Sequence, residues 1–197
     1  MQPRQAASGI SSLSSWVVNA IHATLAGFDV WPAEPAQMIE AREFAAALIG
    51  GDIVTPETLA WVHERTGASL FLAREAGRLT GVWAAVLLSE AGVRACHADA
   101  FDALEPDPAH VAEASAEPAG VYAWGIAGST RESARRLVAA GAAVDQAALA
   151  HLPGFTRPVT EAGMRLALER MNFKPVPGSK TGLVWMAPRV VRPSVAA

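Results

Sequence analysis

An apolar run rich in β-formers, Val121-Tyr122-Ala123-Trp124-Gly125-Ile126-Ala127, passes at once into Gly128-Ser129-Thr130-Arg131-Glu132. Helical spacing starts directly after it, with Ala134, Leu137, Val138 and Ala142 as the predicted apolar stripe. A strand that turns through Gly and Ser into a helix leaves unpaired main-chain N–H groups at the helix start. With the helix dipole, these groups make a seat for an anion, most commonly a phosphate.

The segments on either side supply a sheet for this unit. Residues 69–74 and 79–88 read as the arms of a hairpin around Glu75-Ala76-Gly77-Arg78. The second arm lacks polar alternation from Val82 to Leu88, which predicts burial on both faces in mid-sheet. Before the hairpin, 28–31 reads as a short strand and 36–48 as a helix presenting Ile39, Phe44, Ala47 and Leu48. Thr55 and Pro56 predict the cap and first turn of another helix, which carries Leu59 and Val62 inward and ends at Gly67. His63 beside that stripe reads as structural. Ile10, Leu13, Trp16, Val17, Ala20, Ile21 and Leu25 predict an amphipathic helix closed by Gly27, either packed on the domain or serving as the arm of a homodimer. Downstream come a short strand over 152–159, a Thr160-capped helix over 161–171 with Met164, Leu168 and Met171 as its stripe, and a strand pair over 173–176 and 182–186. One domain over 28–188 is expected, preceded by a tail and helix in 1–27 and followed by a tail in 189–197.

Composition narrows the chemistry. Hydrophobic residues are 51% of the 197 and charged ones 18%, so the chain is long enough and apolar enough to bury a core. A net charge of −3 gives no reason to expect nucleic acid. The single cysteine, Cys96, excludes an internal disulfide framework and a thiolate zinc cluster, and suits a reducing compartment. No apolar run reaches the ~18 residues of a membrane span, and no cleavage pattern follows the N-terminal apolar stretch. The expectation is a cytoplasmic protein with no membrane partner. Cys96-His97, read as neighbours on a strand, point to opposite faces and cannot act as nucleophile and base. His110 and His151 lack ligand spacing, so no metal is expected, and no Gly-x-Ser-x-Gly elbow is present. Between His97 and Gly120, Asp99, Asp102, Glu105, Asp107, Glu113 and Glu117 occur with no Lys or Arg. This segment is either a solvated loop with a short helix near 108–114 or an acidic lip that prefers a cationic acceptor such as an amine.

The order helix, helix, long hairpin, strand–turn–helix, short strand, helix, strand pair resembles the GCN5-related N-acetyltransferase (GNAT) family. The family pattern is hydrophobic-x-Val-x-Pro-x-x-(Gln/Arg)-x-x-Gly-x-(Gly/Ala), with a Leu three residues on. Anchored on Ala134 and Leu137, it puts Tyr122, Trp124 and Ile126 on the strand, Ser129 at the Gln/Arg position and Glu132 where the first Gly belongs. Residues 160–166 and 170–176 are similar to the family's closing helix and its hydrophobic-Gly-Phe strand start, with Asn172 in place of the Gly.

The resemblance implies an α/β (α+β) fold with a central mixed, mostly antiparallel sheet flanked by helices. It also implies an acyl-coenzyme A co-substrate, acetyl-CoA or another, and a small-molecule or peptide amine acceptor. The main chain of Trp124, Gly125 and Ile126 would hold the pantetheine arm, and Ser129, Thr130, Arg131, Ser133 and Ala134 would surround the pyrophosphate. Glu117 is the candidate base and Tyr122 the candidate acid, because Leu168 stands where many members carry a tyrosine. Ser129-x-x-Glu132 also fits a capping box that would occupy the amides the cofactor needs, with Arg131 available to offset the Glu132 charge. The alternative is a non-catalytic binding or regulatory member of the fold.

Overall fold

A computed structural model describes residues 15–50 and 52–189. Six α-helices and seven strands follow along them: α1 (Trp16–Ala26), β1 (Val30–Pro32), α2 (Met38–Ile49), α3 (Pro56–Thr66), β2 (Leu70–Glu75), β3 (Arg78–Leu88), α4 (Glu90–His97), β4 (Gly120–Gly128), α5 (Arg131–Val144), β5 (Gly154–Thr156), α6 (Glu161–Arg165), β6 (Lys174–Pro175) and β7 (Val184–Met186). The strands form one seven-stranded sheet in the order β1-β2-β3-β4-β5-β7-β6. Every pairing is antiparallel except β4 with β5.

The hairpin β2–β3 is the spine of the sheet. Its turn uses two left-handed residues, Ala76 (φ 49°) and Gly77 (φ 78°), whose twist matches that of the strands they join. Gly81 to Leu88 is buried throughout, as the missing polar alternation predicts. Alternation sends Phe71, Ala73, Trp83, Ala85 and Leu87 to one face, under α1 and α5. Leu70, Leu72, Val82 and Ala84 go to the other, among residues of α2 and α3. Helix α1 buries Val17, Val18, Ile21 and Leu25 in the same core as α5; Ile10 and Leu13 lie outside the described residues.

Local signals were followed closely where one residue decides them. Thr55 caps α3 by accepting from Thr58 N (3.2 Å), Gly67 ends it at φ 69°, and Asn172 takes the left-handed conformation (φ 59°). His63 is structural: its Nδ1 accepts from Leu70 N (3.0 Å), and burial, reinforced by His22, lowers its pKa to about 4. The unfolded ring titrates near 6.5. Between these values the unfolded chain binds the extra proton, so stability is full above pH 6.5 and is lost as pH falls towards 4. Urea midpoints at pH 7 and pH 4.5 should show this drop, and the drop should shrink in His63→Gln.

Four expectations are corrected. Helix α2 exposes Ile39, Ala47 and Leu48 and buries Met38 and Ala41, because its inner face covers a cavity rather than large side chains. Helix α5 buries Ser133, Leu137, Ala140 and Val144, rotated from the predicted stripe. In a helix this rich in alanine, hydrophobicity alone does not specify a face, and contact with the sheet does. Cys96-His97 closes a helix, α4, whose N-cap Ser89 accepts from Gly92 N (3.2 Å). Cys96 is fully buried and burial pushes its thiol up to about 12, so it is inert by desolvation rather than by facing away from His97. The predicted inward Leu168 is exposed, and Ala167 is buried in its place, where the last helix turns through a wider π-type turn over Leu166–Arg170. No helix among the described residues is long and apolar enough to cross a membrane.

Candidate functional site

Strand β4 carries the site because its pairing changes along its length. Ala84 of β3 faces Gly125 and Ala85 faces Ala123, which leaves Trp124 as an extra residue, a β-bulge. The bulge reverses the alternation of side chains. Tyr122 before it, Trp124 at it, and Gly125 and Ala127 after it all line the same cavity. On its other edge β4 pairs with β5 only through Val121–Ala123, and Thr156 Oγ1 closes that ladder on Ala123 O (2.9 Å). Beyond Ala123 the two strands part, and β4 runs on to Gly128 against β3 alone. This opening leaves main-chain groups after the bulge without a strand partner on that edge. The Ile126 side chain packs away from it, against the α1–α5 core.

At the end of β4 the chain turns directly into α5. Gly128 is required here, since a Cβ on it would lie 2.4 Å from Ala134 N and 2.7 Å from Ala134 Cα. A capping box forms one residue later than the sequence suggested. Thr130 Oγ1 accepts from Ser133 N (3.1 Å) and Ser133 Oγ accepts from Thr130 N (3.0 Å). Ser129 instead bonds Thr80 O through its N–H (3.0 Å), and Glu132 is exposed rather than folded back. Ala134 N donates to Thr130 O (3.0 Å) and Ser133 is buried. Of the predicted anion-binding amides, the cap therefore occupies those of Thr130 and Ser133. Those of Arg131 and Glu132, in the first turn, have no acceptor within the helix.

The cavity, about 310 Å³, lies between α2 and β4. Tyr122 in its wall is 3% exposed. Burial first, and Cys96 after it, raise its hydroxyl to about 12 against the opposing pull of Arg157. It therefore stays protonated at neutral pH and serves as a donor. Trp124 Nε1 donates to Ala103 O (2.7 Å), tying the 103–104 loop to the bulge. Glu117 does not line the cavity. Its carboxylate lies 3.8 Å from His151 Nε2, and the His151 ring stacks on Trp16 of α1. The predicted base and the predicted acid are thus not brought together.

The acidic segment does not act as one lip either. Asp99 accepts from Ser179 Oγ (3.1 Å), Lys180 N (2.8 Å) and Thr181, and these bonds, the Thr181 hydroxyl first, hold its carboxyl below the usual range. Asp107 caps the turn at Pro108–His110, and Glu113 pairs with Arg65 (3.3 Å). The charged residues that do line the cavity are Arg42, Asp52 and Arg157, none of which the sequence marked as functional. Arg42 sits beside Ala41, one turn before Ala45 and two turns before Ile49, on a face of α2 that reads as apolar and carries no functional signal.

No family model matches this sequence, and no curated protein matches it. Among solved structures it is similar to the GNAT-like decarboxylase GphF in complex with isobutyryl-CoA, with a TM-score of 0.52 at 12% identity, covering 81% of this chain and 99% of that one. A structure described as histone acetyltransferase HPA2 and related acetyltransferase from Corynebacterium glutamicum aligns with a TM-score of 0.46 at 16% identity, covering 84% of this chain and 98% of that one. What is shared is the fold. The chain has the GNAT-like architecture, a mostly antiparallel sheet flanked by helices.

Proposed function

We propose that this chain is an acyl-CoA-dependent N-acyltransferase, moving an acyl group, acetyl or another, to an amine. The observation that carries this reading is the opening between β4 and β5 beyond Ala123, with the start of α5 at the same end of the strand. The residues present fit a thioester of coenzyme A. The β4 edge after Trp124 offers main-chain groups to an extended amide-bearing arm. The glycine approach at Gly128 brings the α5 start, with the Arg131 and Glu132 amides, against the strand. A relative of the same fold binding isobutyryl-CoA supports the co-substrate class.

When bound, the thioester supplies an activated acyl carbonyl; the amine nitrogen bonds to its carbon as the C–S bond breaks, and a thiol leaves. The protein's part is to orient the amine, exclude water and move protons. In this reading Tyr122, protonated and buried in the cavity wall, gives a proton to the departing sulfur. Asp52 is the carboxylate in the cavity that can take one from the amine, the role the sequence had suggested for Glu117. Tyr122→Phe should lower kcat by about 100-fold with little change in KM, read by thiol release in steady-state assays.

The second reading, a non-catalytic module of this fold, is favoured by the capping box that uses two of the anion-binding amides. Calorimetry of the full chain with coenzyme A and acetyl-CoA separates the two. No heat up to millimolar ligand removes the transferase. Binding without thiol release across a panel of amines leaves the module.

A further inference from the structure

The cavity beside β4 holds two cations and one carboxylate in an otherwise apolar wall. Arg42 projects from α2 and Arg157 follows β5, and Nε of each is buried without a hydrogen-bond partner among the described residues. Neither guanidinium forms an ion pair among those residues, whereas Arg65, Arg74, Arg94, Arg136 and Arg189 all do. A buried guanidinium N–H without a partner is costly, and a charge-assisted bond to a planar anion relieves that cost better than a neutral group does. The rest of the wall, including Ile49, Val54, Leu59, Leu70 and Val82, offers only apolar contact. At roughly 30 Å³ for each water-sized group, 310 Å³ holds about ten of them, the scale of a small amino acid.

We infer that the cavity between α2 and β4 binds a carboxylate, held by Arg42 and Arg157, on a small substrate with an apolar body. This rests on the transferase reading and narrows its substrate class, away from the basic acceptor that the acidic segment suggested. The carboxylate belongs either to the acceptor, an apolar α-amino acid whose amine then faces Asp52, or to the acyl group of a dicarboxylic monothioester. Both put the same anion on the same arginines.

Calorimetry on the full chain tests it with matched pairs. Leucine against isopentylamine, and against leucinamide, probes the acceptor; succinyl-CoA against butyryl-CoA probes the acyl group. The carboxylate member of at least one pair should bind about tenfold more tightly or better. Arg42→Gln and Arg157→Gln should each cut that advantage about tenfold, leaving the neutral member unchanged. Equal binding within every pair, tighter binding of the amine, or no binding by either member overturns the inference, and the wild-type comparison alone decides this if a variant fails to fold. A separate titration with plain coenzyme A keeps the two readings apart: its failure removes the transferase, while the leucine pairs still decide the carboxylate site.

Discussion

Gly128→Ala is expected to weaken coenzyme A binding at least tenfold and to destabilise the chain by about 1–3 kcal/mol, the usual range for overpacking. The added methyl would stand 2.4 Å from Ala134 N, 2.7 Å from its Cα and 2.9 Å from Ser133 Oγ. Two of these are main-chain atoms in the first turn of α5 and cannot swing aside, so the strand end and helix start must separate. That separation moves the Arg131 and Glu132 amides away from the open edge of β4 and loosens the Thr130–Ser133 cap. Calorimetry and urea unfolding measure the two effects. Wild-type affinity in the variant would mean that the cofactor does not sit at this junction. Gly77→Ala is the matching control, since a Cβ there meets nothing within 4 Å; it should cost stability through its positive φ alone.

Phe71→Ala is expected to cost about 3–5 kcal/mol, enough to unfold a domain of ordinary stability. Phe71 is fully buried, and its ring meets His22 at 5.1 Å, Trp83 at 5.7 Å and His63 at 6.3 Å, each nearly edge-on. Truncation leaves a cavity at the centre of the α1–α5 core, where the rigid β2–β3 pairing prevents collapse. Urea unfolding gives the magnitude, with Ile39→Ala as reference. Ile39 belongs to the predicted stripe of α2 yet is 61% exposed, so its change should stay within about 0.5 kcal/mol. A large loss there would mean that α2 packs through the face its sequence suggests.

These contrasts show which signals were legible. The chain announced several features set by neighbours in sequence: the β2–β3 hairpin with Ala76-Gly77 at its tip, the caps at Thr55 and Thr160, the left-handed Asn172, and the passage from Gly128 into a helix. Each depends on a few consecutive dihedral angles and on side chains that reach only their own main chain, so residue type decides it. The opening beside β4 was also expected, as part of a resemblance carried by the order of the elements.

Tertiary structure decided the rest. The bulge at Trp124 exists only in the register between β3 and β4, and it turns Tyr122 and Gly125 into the same cavity. Glu117 lies near Tyr122 in the chain but pairs with His151 beside Trp16 of α1, outside the cavity. Arg42 and Arg157 are distant in sequence and line one cavity, Arg42 from α2 and Arg157 from the residue after β5. Burial and charge pairing are properties of the whole packed chain, and no local pattern encodes which two of its arginines will line an apolar cavity without forming an ion pair among the described residues.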